Sequence, residues 1–357
     1  MNNNAKQYHY VFITNIPSFY KINLFNLLSS HLNIKVIFIS DQSLIRNKDF
    51  TSNEKKFEHE YINSGPFEKR NKIKTIFKVW ASLKKLDYQN LIFPGWEIIE
   101  LMLLVFLLPR RKNGIVIESS ILETKTSGLP WFLKVMFLKR MGKAFPAGVL
   151  QKDILYKANF EGGIYETHGV GVLSDNFSQK KNEKNKERPE LLSYIYVGRL
   201  SEEKNVSELI TTFNKINNKL YMIGDGPLKD ELQKKANSNI IFLGHINNSE
   251  LDLAYEKADV FVLPSISEPW GLVVEEALKC RLPLIVSDRV GCKDDLVTNL
   301  NTGIVFSIDG GGKSLMNAIE EMNLNFDSFK KSVDNLDFSS IDNKKLSVYK
   351  DALTNEK

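Results

Sequence analysis

The chain has 357 residues, 43% of them hydrophobic and 25% charged. That length exceeds one ordinary core and suits two domains, and the composition excludes disorder throughout. The net charge of +5 is mild, and two cysteines with five scattered histidines give neither a disulfide framework nor metal-ligand spacing.

The start, MNNNAKQYHYVFITN, lacks a charged stub, an apolar stretch and a small-residue cleavage site, so it does not read as a signal peptide. Tyr8–Ile13 is a β-rich run that enters a turn at Asn15-Ile16-Pro17. A helical pattern follows in KINLFNLLSSHL, with Ile22, Phe25, Leu28 and Leu32 near one face, then an apolar strand at Ile34–Ile39. Strand, helix, strand at this spacing is a βαβ unit. Further strands are expected at Asn90–Phe93 and Gly114–Ile117, and helices near Ile73–Leu86, Glu97–Leu108 and Trp131–Met141. The longest apolar run, Ile98–Pro109, is interrupted by Glu100. It has about half the length a membrane span needs and reads as a buried core helix.

From Phe67 to Gly148 there are fifteen Lys and Arg against six Asp and Glu. Such a surface suits an anionic partner, a phosphate-containing lipid or a membrane face among them; the plainer reading is a solvated surface. Leu129–Lys143, LPWFLKVMFLKRMGK, is amphipathic. It fits a membrane-surface dock, or equally a core helix with solvated cations.

KKNEKNKER, Lys180–Arg188, is polar, charged and free of apolar residues, as a solvated interdomain connection would be. The expected division is an N-terminal domain over 1–180, a linker over 181–190 and a C-terminal domain over 191–340. A helix or tail over 341–357 would return to the first domain. After the linker the alternation restarts. Strands are expected at Leu192–Val197, Leu220–Ile223, Ile240–Leu243, Val260–Leu263 and Leu284–Val286, with helices from about Asn205, after Gly224-Asp225-Gly226-Pro227 and over Leu272–Leu278. Continuous apolar strands separated by helices imply parallel sheets buried on both faces. The fold class expected is α/β, two Rossmann-like parallel-sheet domains.

In open α/β sheets, ligands collect at the carboxyl ends of the strands. In YVGRLSEEKN, Gly198 follows a strand and permits close backbone approach, and Arg199 and Lys204 sit in the next loop. Two cations there can clamp a diphosphate, Arg by paired hydrogen bonds and Lys as a point charge; alone they also fit two surface cations. In SISEPWGLVVEEAL, Glu268 lies in the loop and Glu276 eight positions later in a helix that starts near Gly271. Carboxylates accept hydrogen bonds from paired hydroxyls, and a helix start offers open N–H groups to an anion. An ordinary helix with acidic residues near its N-terminal end fits too, and Glu275 reads that way. IGDGPLKDEL reads better as a structural turn than as a phosphate loop, since neither G-x-G-x-x-G nor a Walker signature is present. Gly244 and His245 follow a strand in FLGHINNSEL, where they could face a nucleobase.

In this order, VGRLSEEKN, IGDGPLKDEL, FLGHINNSEL and SEPWGLVVEEALKCRLPLIVSD resemble glycosyltransferase family 4, and Glu268 with Glu276 matches its E-x7-E motif. The resemblance covers about Ser193–Phe306. It implies a GT-B architecture, with the two domains facing a central cleft, and sugar transfer with retention at the anomeric carbon. No metal or other cofactor is implied, as Arg199 and Lys204 would stabilise the departing nucleotide diphosphate. Glu268 would contact the transferred sugar, Glu276 the ribose, and the backbone around Gly271 and Leu272 the phosphates. Trp270, beside Glu268, would shape the sugar pocket.

The N-terminal half resembles the family less. Pro17-Ser18-Phe19-Tyr20 stands where many members carry a glycine pair. Glu118 and Ser119 stand where many carry a histidine. Glu118 would orient the acceptor hydroxyl or act as its base, or it is a structural carboxylate. The partners implied are a nucleotide-sugar donor and a glycan or lipid-linked oligosaccharide acceptor, with peripheral contact to an anionic membrane and no nucleic acid. The place implied is the cytoplasm, at the inner face of its membrane, in synthesis of capsule, O-antigen or exopolysaccharide. Two other classes share the scaffold. A sugar-nucleotide epimerase would cluster carboxylates and histidines in the cleft, and a non-catalytic partner would have lost one of Arg199, Lys204, Glu268 or Glu276.

Overall fold

The computed structural model describes residues 6–45, 53–96, 98–173 and 188–354. They form two compact units, one running to Val172 and resuming at Ser339, the other spanning Leu173–Phe338. Of the expected 181–190 connection, residues up to 187 lie outside the described ones.

The first unit holds seven parallel strands: β1 (Gln7–Thr14), β2 (Ile34–Gln42), β3 (Glu58–Pro66), β4 (Asp87–Phe93), β5 (Asn113–Ile117), β6 (Lys143–Pro146) and β7 (Gly163–Ile164). Their spatial order is β3-β2-β1-β4-β5-β6-β7. The crossovers carry α1 (Phe19–Ser29), α2 (Lys72–Leu83), α3 (Ile99–Leu104), α4 (Gly128–Leu138) and α5 (Val149–Lys157). Side chains alternate across a strand, so β1 feeds two cores. Val11 and Ile13 pack with Leu91, Ile115 and the inner residues of α2 to α5, such as Val79, Leu104, Phe137 and Ile154. Tyr10 and Phe12 pack on the other face against Ile22, Phe25 and Leu28 of α1.

That second core is closed by the chain's last helix. In the second unit come β8 (Tyr194–Val197), β9 (Leu220–Ile223), β10 (Ile240–Gly244), β11 (Val260–Leu263), β12 (Leu284–Ser287) and β13 (Gly303–Phe306). They are joined by α6 (Val206–Phe213), α7 (Lys229–Lys235), α8 (Leu251–Tyr255) and α9 (Leu272–Lys279), and followed by α10 (Leu315–Asp334) and α11 (Phe338–Thr354). Their order is β10-β9-β8-β11-β12-β13. All pairings in both sheets are parallel. Both sheets are covered on two faces, which is why β8, β11 and β12 are fully buried apolar runs.

Several elements differ from the sequence reading. β3, EHEYINSGP, is an edge strand whose only buried residue is Ile62, so it shows no apolar run. The apolar stretch after Ile98 is helical only over α3, then tightens into a turn at Val105–Leu107 before Pro109. α4 starts three residues before Trp131, with Pro130 in its first turn, where no N–H is required of it.

α11 belongs to the first unit through Tyr349. Its ring stacks on Phe145 at 4.9 Å and 12° and meets Tyr10 edge-on at 5.8 Å. The Tyr10 hydroxyl donates to the Tyr349 carbonyl at 2.7 Å. Truncating so large a buried ring is expected to cost about 3–5 kcal/mol. Urea denaturation of Tyr349→Ala should show that loss; a cost under about 1 kcal/mol would mean that α11 is a peripheral tail.

Candidate functional site

In the second sheet, β8 and β11 are neighbours, yet the chain leaves β8 toward β9 and leaves β11 toward β12. The loops beyond their carboxyl ends therefore diverge, and such a switch point opens a crevice. The two loops are pinned to each other, because the Ile266 N–H donates to the Glu203 carbonyl at 2.9 Å. Across them the Lys204 ammonium donates to Glu268 Oε2 at 2.5 Å, both side chains mostly buried.

Each partner is held from behind. Lys204 ends a single tight turn, Glu202–Lys204, which Asn205 leaves in a left-handed conformation at φ 53°. The Ser201 hydroxyl donates to Glu203 at 2.6 Å, and that bond first, then a backbone hydrogen bond and, less, the charges of Lys204 and Arg199, holds the Glu203 carboxyl below its usual range. Glu268 pairs through its backbone with Val290, and the Gly291 and Cys292 N–H groups donate to the Glu268 and Trp270 carbonyls at 2.9 and 3.0 Å. Gly271 then opens α9 at φ 105°. A Cβ there would lie 3.1 Å from Val274 and 3.2 Å from Val290, so both sterics and backbone conformation favour glycine. α9 has no side-chain cap; the Val274 N–H donates to the Gly271 carbonyl at 2.8 Å, and a helix start of this kind can offer backbone N–H groups to an anion.

The remaining residues expected at the site lie as follows. Arg199 is exposed, and its carbonyl accepts the Tyr196 hydroxyl at 2.8 Å. Gly198 and Gly244 bracket the ends of β8 and β10. Gly224 lies between them, its N–H donating to the Gly244 carbonyl at 2.8 Å. A Cβ on Gly224 would sit 1.9 Å from the Gly198 carbonyl oxygen, so the Gly-Asp-Gly segment is a backbone crossing. His245 is exposed at that edge of the sheet. Trp270 turns away from solvent: it is 3% exposed and its indole N–H donates to Glu275 Oε1 at 2.5 Å. Glu275, read from sequence as an ordinary acidic residue near a helix start, is the buried acceptor of that bond.

Glu276 is 4% exposed and accepts the Tyr255 hydroxyl at 3.1 Å. Burial, with Glu275 adding to it and the Tyr255 bond opposing it, pushes its carboxyl up to about 8. It is thus a mostly neutral acid at neutral pH.

Glu118 is in the other unit, at the end of β5, where its Oε1 lies 2.9 Å from the Lys21 ammonium of α1. Both line a cavity of about 30 Å³, with Thr14, Thr167 and Tyr349; that volume admits one water. The Thr14 hydroxyl is buried there with no hydrogen-bond partner among the described residues. Sequence reasoning missed Lys21, Tyr255 and Ser265, a fully buried serine just beyond β11. Lys21 was legible as a cation in the first turn after β1; nothing in the sequence marks Tyr255.

Residues 175–327 match the family model for "Glycosyl transferases group 1". The sulfoquinovosyl transferase SQD2 of Arabidopsis thaliana is 30% identical over 194 residues, 50% of this chain and 38% of that protein. The chain thus spans well under half the length of that relative. Among solved structures, the lipopolysaccharide-biosynthesis glycosyltransferase WaaG matches with a TM-score of 0.65 at 14% identity, over 95% of this chain and 99% of that one. Anabaena HepE, in complex with UDP and glucose, matches with a TM-score of 0.66 at 14% identity, over 96% and 98%.

Glu276 generates a pH signature. In the unfolded chain it ionises near 4.5, in the folded protein only near about 8. Between these values the native state holds a proton that the unfolded chain has lost. Stability fully present below pH 4.5 is therefore lost as pH rises toward 8, by on the order of a few kcal/mol. Glu276→Gln should flatten that slope in urea titrations run across this range. Equal slopes in both proteins would place an ionised Glu276 in the native state throughout.

Proposed function

We propose, from the match of residues 175–327 to the group 1 glycosyl transferase model and from two parallel-sheet units of GT-B type, that the chain is a retaining, metal-independent glycosyltransferase. It moves a sugar from a nucleotide-diphosphate donor to a hydroxyl of a glycan or lipid-linked glycan, in bacterial surface polysaccharide synthesis, at an anionic membrane face. The observation that carries this reading is the Lys204–Glu268 pair at the switch point of the second sheet. The HepE complex with UDP and glucose supports the donor class, and the role of WaaG in lipopolysaccharide biosynthesis supports the acceptor class.

Lys204 and Glu268 are paired with each other. A donor replaces this contact with two better matched ones, diphosphate on Lys204 and Arg199, sugar hydroxyls on Glu268. Amides at the start of α9, around Gly271 and Leu272, add partial positive charge beside the phosphates. Gly198 lets the donor approach the backbone after β8. Gly244 and His245 face the base, Glu276 meets the ribose, and Trp270 sets the sugar pocket from behind through Glu275. In the transfer, the bond from the anomeric carbon to the phosphate oxygen breaks and the acceptor oxygen bonds that carbon on the same face. The acceptor proton leaves with a base, and the nucleotide diphosphate departs carrying the bond electrons. Lys204 and Arg199 stabilise the charge that develops on it, the role a metal ion plays elsewhere. Glu118, held by Lys21, orients the acceptor hydroxyl or takes its proton.

A thermal-shift screen of UDP-, GDP-, ADP- and TDP-sugars should pick out one nucleotide class, since donor binding stabilises the native state by mass action. No shift with any of them would overturn the donor assignment. With that donor, Lys204→Ala should lower turnover at least about a hundredfold, and wild-type turnover in the variant would remove Lys204 from the mechanism. EDTA should leave activity intact; complete loss restored by manganese would refute metal independence.

A further inference from the structure

A surface helix of a soluble domain keeps its apolar stripe inward and its outer face polar. Three neighbouring helical segments of the first unit do not. Their inner residues, including Val79, Leu104 and Phe137, fill the sheet core. Their outer faces nevertheless present Ile73 and Phe77 of α2 (68% and 69% exposed), Leu103 and Leu107 of the α3 segment (65% and 66%), and Phe132 and Leu133 of α4 (58% and 47%).

These faces adjoin. β4, β5 and β6 follow one another in the sheet, so right-handed crossovers set α2, α3 and α4 side by side on one face of it. α2 packs on α3. The Lys134 ammonium of α4 lies 4.6 Å from the Trp96 ring centroid just before α3, and the Arg140 guanidinium just after α4 lies 5.8 Å from that of Phe106. An apolar surface this broad on a soluble unit marks an interaction site.

The charge around it selects the partner. From Lys69 to Leu86 there are seven Lys and Arg and no Asp or Glu, all exposed but Arg70, which is ion-paired with Glu100; from Thr124 to Lys143 there are five and none, of which only Lys143 is buried, donating to Asn90. Arg110 and Arg111 are exposed beyond Leu107. A second copy of the same face would bring cations against cations. The geometry points to an anionic phospholipid bilayer: the three-helix face of α2, α3 and α4 inserts its apolar side chains at the headgroup boundary while the flanking cations engage lipid phosphates. No helix among the described residues is long and apolar enough to cross a membrane, so the contact is interfacial. This inference gives the membrane contact of the proposed function its surface and rests on that reading. Its test needs no sugar transfer and so fails or succeeds separately from the enzymology.

Co-sedimentation of the full chain with vesicles of phosphatidylcholine, with and without phosphatidylglycerol, is the experiment. The protein should pellet with the anionic vesicles at low salt and be weakened, not abolished, at about 1 M salt, because burial of apolar side chains is unscreened. Leu103→Ser/Phe132→Ser should lower the partition coefficient at least about tenfold, given two large side chains removed from the boundary. Both positions are exposed, so the variant should keep the wild-type Tm, and Leu324→Ser, at an apolar position of α10 that is 79% exposed, should bind vesicles like wild type. Trp80, Trp96 and Trp131, three of the chain's four tryptophans, lie on these segments, so brominated lipid should quench most of the fluorescence. Undiminished binding by the double variant, equal losses in it and Leu324→Ser, or absence of quenching would overturn the proposal. So would a lipid-free dimer that the double variant abolishes.

Discussion

Parallel strand pairing with both sheet faces covered is the constraint from which the rest of this molecule follows. It requires a crossover at each strand-to-strand passage, most of them helical here, so the carboxyl-end loops of one sheet gather at one edge. It also demands strands that are apolar on both sides, as in β8, β11 and β12. Where strand order reverses, between β8 and β11, the loops must part. Lys204 and Glu268 are the side chains those two loops deliver, and the Ile266–Glu203 backbone bond keeps the delivery in register.

Electrostatics at that edge are arranged in opposite senses within a few residues. Glu268 is paired with the Lys204 cation. Glu276, with similar chemistry, accepts the Tyr255 hydroxyl and is driven toward its neutral form by burial. Glu275 is occupied by the Trp270 indole. Three carboxyl groups in nine positions therefore have three distinct partners, set by what packs behind each rather than by residue type. The neutral form of Glu276 can donate as well as accept a hydrogen bond, which suits a group facing hydroxyls that do both.

The sequence was most legible where burial is symmetrical. β9 and β11 fall where their apolar runs place them, and the residues just beyond β8 and β11 stand out because charges there contrast with the strands before them. β3 was invisible because an edge strand in contact with solvent carries EHEYINSGP without a run. Side-chain partners were less legible still. Trp270 is adjacent to Glu268 in the chain yet points inward, because Gly271 redirects the backbone between strand and helix. Tyr255 reaches Glu276 from a different crossover, and Lys21 reaches Glu118 from a helix remote in sequence; no local pattern encodes either contact.

The apolar run after Ile98 illustrates a different limit. Hydropathy alone gives a core helix, and half of that is right: Leu101, Leu104 and Val105 are buried against the sheet. The other half is geometry. A helix lying on a sheet has only one face covered, so a segment apolar all round must present the remainder outward, as Leu103 and Leu107 do. A sheet crossover cannot bury that second face with anything of its own, since the layer beyond the helices of an α/β unit is solvent. Ile73 and Phe77 on α2, and Phe132 and Leu133 on α4, repeat the pattern in flanking helices whose inner stripes are already complete. Apolar residues added outside a finished core contribute little to folding, so their recurrence on three adjacent segments ringed by cations is accounted for by what lies outside the fold rather than by the fold itself.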